Sequence, residues 1–187
     1  HTRRIVDPST GVKLTGTAGR QTFALLSALD ASPSGDTDKL FTIGRVMRNY
    51  GNGQYIGALV TDTELGHEHN RVAAADVSLR HSAHFSWSAS LLRSDTTTAE
   101  GDSLQGNGGQ AKYEYSTQRV LVMGQADHYD RGFRMDTAFI NRVGLSRGWQ
   151  YEEVNFYPAA QYGWIKRIAP FLWSALAEDR IQGGGGE

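Results

Sequence analysis

Polar and apolar residues alternate with a period of two through most of this chain, over segments too long for an ordinary globular sheet. In residues 83–91, Ala83, Phe85, Trp87, Ala89 and Leu91 fall on one face of an extended backbone. His84, Ser86, Ser88 and Ser90 fall on the other, because successive side chains of a strand point to opposite faces. Residues 72–80 place Ala73, Ala75, Val77 and Leu79 against Asp76, Ser78 and Arg80. In residues 111–117, Ala111, Tyr113 and Tyr115 oppose Lys112, Glu114 and Ser116. Residues 120–127 set Val120, Val122, Gly124 and Ala126 against Gln125 and Asp127, with Leu121 and Met123 intruding on the polar side. Further extended segments are read at 11–17, 22–30, 40–50, 54–64, 133–144, 149–157 and 162–176.

These segments predict an all-β chain, an antiparallel up-and-down meander of about 10–11 long strands forming part of a transmembrane β-barrel. Globular strands average ~5–6 residues, whereas a tilted membrane-crossing strand needs ~9–11. The connections point the same way. Residues 18–21, 51–53, 81–82 and 117–119 are tight, and the longer links 31–39, 65–70 and 94–109 fall between them. Short links on one side and long ones on the other are the habit of outer-membrane barrels; Greek-key sandwiches have no reason to sort link lengths this way. The sorting weakens after Tyr129, where residues 129–132 and 145–148 are both short. Residues 168–181 stay open: Pro170 in a first turn with Phe171, Leu172, Ala175 and Leu176 as a stripe reads as a helix, and Phe171, Trp173 and Ala175 on one face reads as a strand.

Composition fits this picture. The formal charge is −1, from 19 basic and 20 acidic residues, so nothing points to nucleic acid. A mean hydropathy of −0.45, with no apolar run near ~18 residues, excludes a helical membrane span; a barrel escapes that average because its two faces cancel. The chain has no cysteine, which excludes disulfides and thiolate metal sites. Its 22 glycines fall mostly where turns are read, among them Gly51-Asn52-Gly53 and Gly106-Asn107-Gly108-Gly109. Residues 1–4 carry no leader pattern and residues 181–187 end in a glycine-rich run. The whole, residues 1–187, is therefore expected to be a single partial barrel domain cut from a longer chain.

Aromatics gather near strand ends, at Tyr50, Tyr55, Tyr129, Phe133, Trp149, Tyr151, Tyr157, Tyr162 and Trp164, as interfacial girdles do. The charged residues Asp76, Arg80, Glu114, Asp127, Arg134, Asp136 and Arg142, with Arg93 beside them, are expected to line the lumen as ion pairs and hydrogen-bond networks. His67-Glu68-His69 is the most metal-like cluster, but it sits in a link where nothing fixes its geometry, so no metal or other cofactor is expected. His81 and His84 bracket a turn. His128 stands with Asp127 and Asp130 but has no nucleophile, and neither Gly-x-Ser-x-Gly nor His-Glu-x-x-His occurs. Glu152 and Glu153 would point to opposite faces of a strand. No catalytic constellation emerges, and an enzyme is not expected.

Five stretches resemble a known bacterial family: residues 3–8 (Arg-Arg-Ile-Val-Asp-Pro), 11–16 (Gly-Val-Lys-Leu-Thr-Gly), 42–48 (Thr-Ile-Gly-Arg-Val-Met-Arg), 70–76 (Asn-Arg-Val-Ala-Ala-Ala-Asp) and 138–144 (Ala-Phe-Ile-Asn-Arg-Val-Gly). In order and spacing they resemble the domain of unknown function 5916, over residues 3 to 158. The resemblance implies the C-terminal outer-membrane barrel of a protein that begins with a family-9-like carbohydrate-binding module. It carries no catalytic residues over. The expectation is an outer-membrane barrel segment, an anchor or pore in carbohydrate or nutrient handling. Its partners would be outer-membrane lipid and, through the missing module, carbohydrate. The alternative is a soluble all-β carbohydrate-binding module, and a hydrolase fragment is a distant third.

Overall fold

A computed structural model describes residues 5, 7–31, 38–138, 140, 142–158 and 163–179. Ten strands form one antiparallel sheet: β1 (Pro8–Ala18), β2 (Gln21–Asp30), β3 (Lys39–Gly51), β4 (Gln54–Leu65), β5 (Glu68–Arg80), β6 (Phe85–Thr97), β7 (Ser103–Ser116), β8 (Val120–Tyr129), β9 (Leu145–Val154) and β10 (Phe171–Asp179). Each pairs with its neighbours in sequence, in the order β1 to β10. Among the described residues β1 and β10 do not pair, so the sheet is open. All-β character and the up-and-down meander are thus present, and strand lengths run from nine residues in β10 to fourteen in β7.

Several boundaries differ from those read in the sequence. The described residues form ten strands, within the 10–11 expected, and the described residues of 133–144, read as a strand, form part of a link. The link read at 94–109 shrinks to residues 98–102, with β6 running on to Thr97 and β7 starting at Ser103. The Gly106–Gly109 run lies inside β7 and is not a turn. The link at 65–70 is a tight turn at Gly66 and His67, where Gly66 has a φ of 61°. Residues 171–179 are a strand and not a helix, since β9 offers a full ladder of partners from Glu153 opposite Phe171 to Leu145 opposite Asp179. The hairpin between β3 and β4 turns at Asn52 (φ 52°) and Gly53 (φ 77°); two successive positive φ values match the strand twist. The link lengths sort by side only in part: the sides alternate between turns such as 19–20 and links such as 31–38, but 66–67 is short and 155–170 long on the wrong sides.

Register fixes which side chains share a face. From Gly57 in β4, the cross-strand row runs through Asp76, Ser90, Gln110, Asp127 and Arg147. The opposite face carries the row Ala58, Ala75, Leu91, Gly109 and His128. Burial is distributed against the usual order. The large apolar side chains Val12, Leu14, Leu25, Val46, Ile56, Val60 and Leu91 are all exposed, Leu91 to 71%, and register puts every one on the second face. The buried polar residues Thr61, Thr63, Asn70, Ser94, Thr96 and Asp127 all lie on the first. From β2 to β6 and in the first half of β7 the sheet therefore has its apolar side outside and its polar side covered, with Ala28, Phe41 and Val72 buried among the polar residues of that side. In β1 and from Lys112 to Ser116 the polar face is exposed as well. The pattern weakens in the last two strands. Trp149 and Tyr151 join the polar face, with Tyr151 stacked on Phe171 at 5.8 Å, while Gln150 and Glu152 turn to the apolar one.

Candidate functional site: the polar face and the link folded across it

The polar face is held by charge pairs that cross strands. The Arg45 guanidinium donates to Asp76 at 2.7 Å, reaching over β4 at Gly57. A Cβ there would lie 2.9 Å from Asp76 Oδ1 and 3.3 Å from the guanidinium, so the missing side chain is what lets the pair form. Asp127, whose side chain is 3% exposed, gathers three donors: Gln110 Nε2 at 2.6 Å, Gln125 Nε2 at 2.8 Å and Arg147 Nε at 2.9 Å. A buried carboxylate is tolerable only when it is paired and hydrogen-bonded in this way.

The second feature is the β8–β9 link, residues 130–144. Its first part folds back over the polar face instead of projecting from the sheet. Phe133 is fully buried, with its ring 5.3 Å from that of Tyr129. Its backbone lies directly on β7, since a Cβ on Gly106 would come within 2.3 Å of Phe133 N and one on Gly132 within 2.4 Å of Gln105 O. The Gly-Asn-Gly-Gly run thus serves close approach rather than chain reversal. Buried Asn70 clamps the link: its amide donates to Arg134 O at 3.0 Å and Thr96 Oγ1 at 2.8 Å, and its oxygen accepts the Asp136 N–H at 2.9 Å. Ser94 Oγ accepts the Arg134 N–H at 3.1 Å. Lys39 Nζ closes the far end on Asp136 at 2.7 Å. From β8 the link therefore crosses β7, β6, β5 and β4 to reach β3.

A polar cavity of about 570 Å³ opens beside this link, toward the 66–67 and 98–102 turns, lined by Lys39, Glu68, Glu100, Asp102, Arg134 and Asp136 among others. The Glu100 carboxyl is held below the ordinary carboxylate range, first by its own backbone N–H and then by the Thr98 side chain. At the link's start, the Asn107 backbone N–H, followed by the Asn107 amide and His128, holds Asp130 below its ordinary range.

The seven charged residues singled out in the sequence occupy separate places. Asp76, Arg80, Glu114 and Asp127 share the polar face by register. Asp76 and Asp127 are engaged with Arg45 and Arg147, while Glu114 is exposed and Arg80 lies at the end of β5. Arg134 and Asp136 belong to the folded link, and Arg142, farther along it, pairs with Asp179. Arg93 falls on the apolar face, bonded to Gln105 at 3.1 Å. With Arg71, Asp62 and Glu64, it forms a polar rim where the apolar side chains stop. Of the strand-end aromatics, Tyr50 is on the apolar face, Tyr55, Tyr129, Trp149 and Tyr151 are on the polar one, and Tyr162 lies outside the described residues. The exposed aromatics of the apolar face are Phe23, Tyr50, Trp87 and Tyr115, all at the end away from the polar rim.

Glu68 and His69 are successive residues of β5 and face opposite ways. Among the described residues no group of three or more His, Asp or Glu side chains is placed to hold a metal ion. His128 bonds Ser146 Oγ at 2.9 Å and Asp130 at 3.2 Å.

The sequence reading does not single out Lys39, Arg45, Asn70, Ser94 or Arg147, and it takes Phe133, which is fully buried under the link, for an interfacial aromatic. Arg45 is findable, because it falls on the polar side of the segment read at 40–50; Arg147 is not, because residues 145–148 read as a link and in fact open β9. The partners of Asn70 and Ser94 come from a link 40 or more residues away, and no local signal marks them. Comparison of the chain with protein-family models, with curated proteins and with solved structures finds no match.

Proposed function

We propose that this chain is part of a transmembrane β-barrel, with the apolar face toward lipid and the polar face toward the lumen. The observation that carries the reading is the inverted burial. A soluble sandwich hides its apolar face and wets its polar one. Here Val12, Leu14, Val60 and Leu91 are more than half exposed, while Ser94, Thr63 and Asn70 are almost fully buried. Burying the exposed apolar side chains is worth ~1.5–3 kcal/mol each, and a bilayer supplies that burial. Geometry is compatible: the thirteen residues of β6 make ~43 Å of strand at ~3.3 Å per residue. At a ~40° tilt they rise ~33 Å, enough for the ~25 Å apolar band of such barrels with a polar rim beyond it. The aromatics at one border and Arg71, Arg93, Asp62 and Glu64 at the other occupy the two interfaces.

On this reading the sheet closes through strands beyond the ten described, and the protein sits in a bacterial outer membrane as an anchor or pore. The link to carbohydrate handling rests on the resemblance to the domain of unknown function 5916 alone. Fractionation of the full-length protein tests the reading. Sedimentation with membranes, extraction only by detergent and gel mobility that shifts on boiling support it. A protein that stays soluble without detergent and migrates identically before and after heating refutes it, and leaves the soluble carbohydrate-binding module.

A further inference from the structure

The folded link gives the proposed lumen a specific consequence, which rests on the barrel reading. We propose that residues 130–138 are a fixed constriction, which narrows the passage and sets it to admit small hydrophilic neutral and cationic solutes over anions. A surface connection has no need of these anchors. The fully buried Phe133, the buried Asn70 amide with three partners, and Lys39 on Asp136 hold the segment across five strands. Gly106 and Gly132 let its backbone lie in direct contact with β7. A segment so placed occupies the space a polar lumen would otherwise leave open, and its anchoring spans both ends, so it does not swing aside.

Selectivity follows from what lines the approach. The cavity beside the link carries Glu68, Glu100, Asp102 and Asp136 against Lys39 and Arg134. Four carboxylates to two cations make the field there negative, and a narrow, low-dielectric passage magnifies it.

The test is conductance of the full-length protein in planar bilayers, on preparations checked for heat-modifiable mobility. Wild type is expected to pass a small current preferring K⁺ over Cl⁻. Replacing residues 131–137 by a short Gly-Ser bridge is expected to raise conductance at least twofold. Gly106→Ala, whose Cβ displaces the link, should change conductance in the same direction, and Gly109→Ala on the opposite face should leave it unchanged. Arg134→Glu alters no anchor, since only the Arg134 backbone holds the link; it should move the reversal potential further toward cations, and it carries the test even if the shortened chain fails to assemble. Equal conductance with and without the link, anion preference in the wild type, or no response to Arg134→Glu would each overturn the proposal. Assembled, heat-modifiable protein that carries no current in any form overturns the constriction and leaves the barrel standing. Protein that never becomes heat-modifiable removes the barrel reading itself.

Discussion

Removing the acceptor at Asp127 should cost more stability than removing any one of its donors. The carboxylate collects Gln110, Gln125 and Arg147 within 2.9 Å while itself 3% exposed. Hydrogen bonds to a charged group are worth ~1.5–3 kcal/mol each. In Asp127→Ala the three donors lose one shared partner; Arg147, 55% exposed, turns to water, whereas the two glutamine amides do so less completely. The expected net loss is ~3 kcal/mol, at the low end of the ~3–5 kcal/mol for breaking a buried pair. Asp127→Asn keeps the volume and one accepting oxygen but aims an NH₂ at donors, for a loss of ~2 kcal/mol. Arg147→Ala leaves two donors in place and removes a solvent-screened charge, for ~1 kcal/mol. On the barrel reading, urea unfolding of the protein refolded in detergent micelles, followed by tryptophan fluorescence, measures the three. If Arg147→Ala costs as much as Asp127→Ala, or all three fall within ~0.5 kcal/mol of wild type, Asp127 is not the hub of this network.

Other consequences can be checked alongside. Gly57→Ala pushes a Cβ to 2.9 Å from Asp76 Oδ1 and should cost ~1–2 kcal/mol, the usual scale of local overpacking; the same loss in an Arg45→Met background would show that the pair is not what the methyl disturbs. The depressed Asp130 carboxyl contributes stability that is present above its unfolded pKa and lost as pH falls through its folded value. Amide exchange of Asn107 should therefore speed up on acidification below the ordinary carboxylate range, and Asp130→Asn should remove that pH dependence. On the barrel reading Val77→Arg or Leu91→Arg should block assembly, because charge near the bilayer midplane costs ~2–4 kcal/mol, while Ser88→Arg on the polar face is tolerated. Heat-modifiable mobility of the three variants reads this out, and equal tolerance on both faces counts against a membrane.

The alternation in residues 72–80 and 83–91 assigns both faces of β5 and β6, because a half-covered strand writes its two environments into successive residues. The same logic misled at 133–144. Phe133, Met135 and Thr137 alternate with Arg134 and Asp136 as they would in a strand, yet the segment folds flat on the polar face, because Gly106 and Gly132 clear room for it and Asn70 takes its backbone bonds. Those causes are long-range, and a local period cannot carry them. Gly106–Gly109 misled for the complementary reason: glycine allows a turn and close packing equally, and only the segment resting on it decides. In β9 the period persists but its phase is shifted, so Trp149 and Tyr151 lie on the polar face, where aromatic stacking on β10 replaces charge pairing.

The orientation of the apolar face is the claim on which the functional reading depends, and β6 can report it residue by residue. The chain has no cysteine, so single-cysteine variants at Ser88, Ala89, Ser90, Leu91 and Leu92 can each carry one fluorophore in vesicles containing lipids brominated on the acyl chain. Strong quenching at Ala89 and Leu91 with little at Ser88, Ser90 and Leu92 is the predicted result. Uniform quenching, no quenching, or quenching in the opposite phase would contradict it.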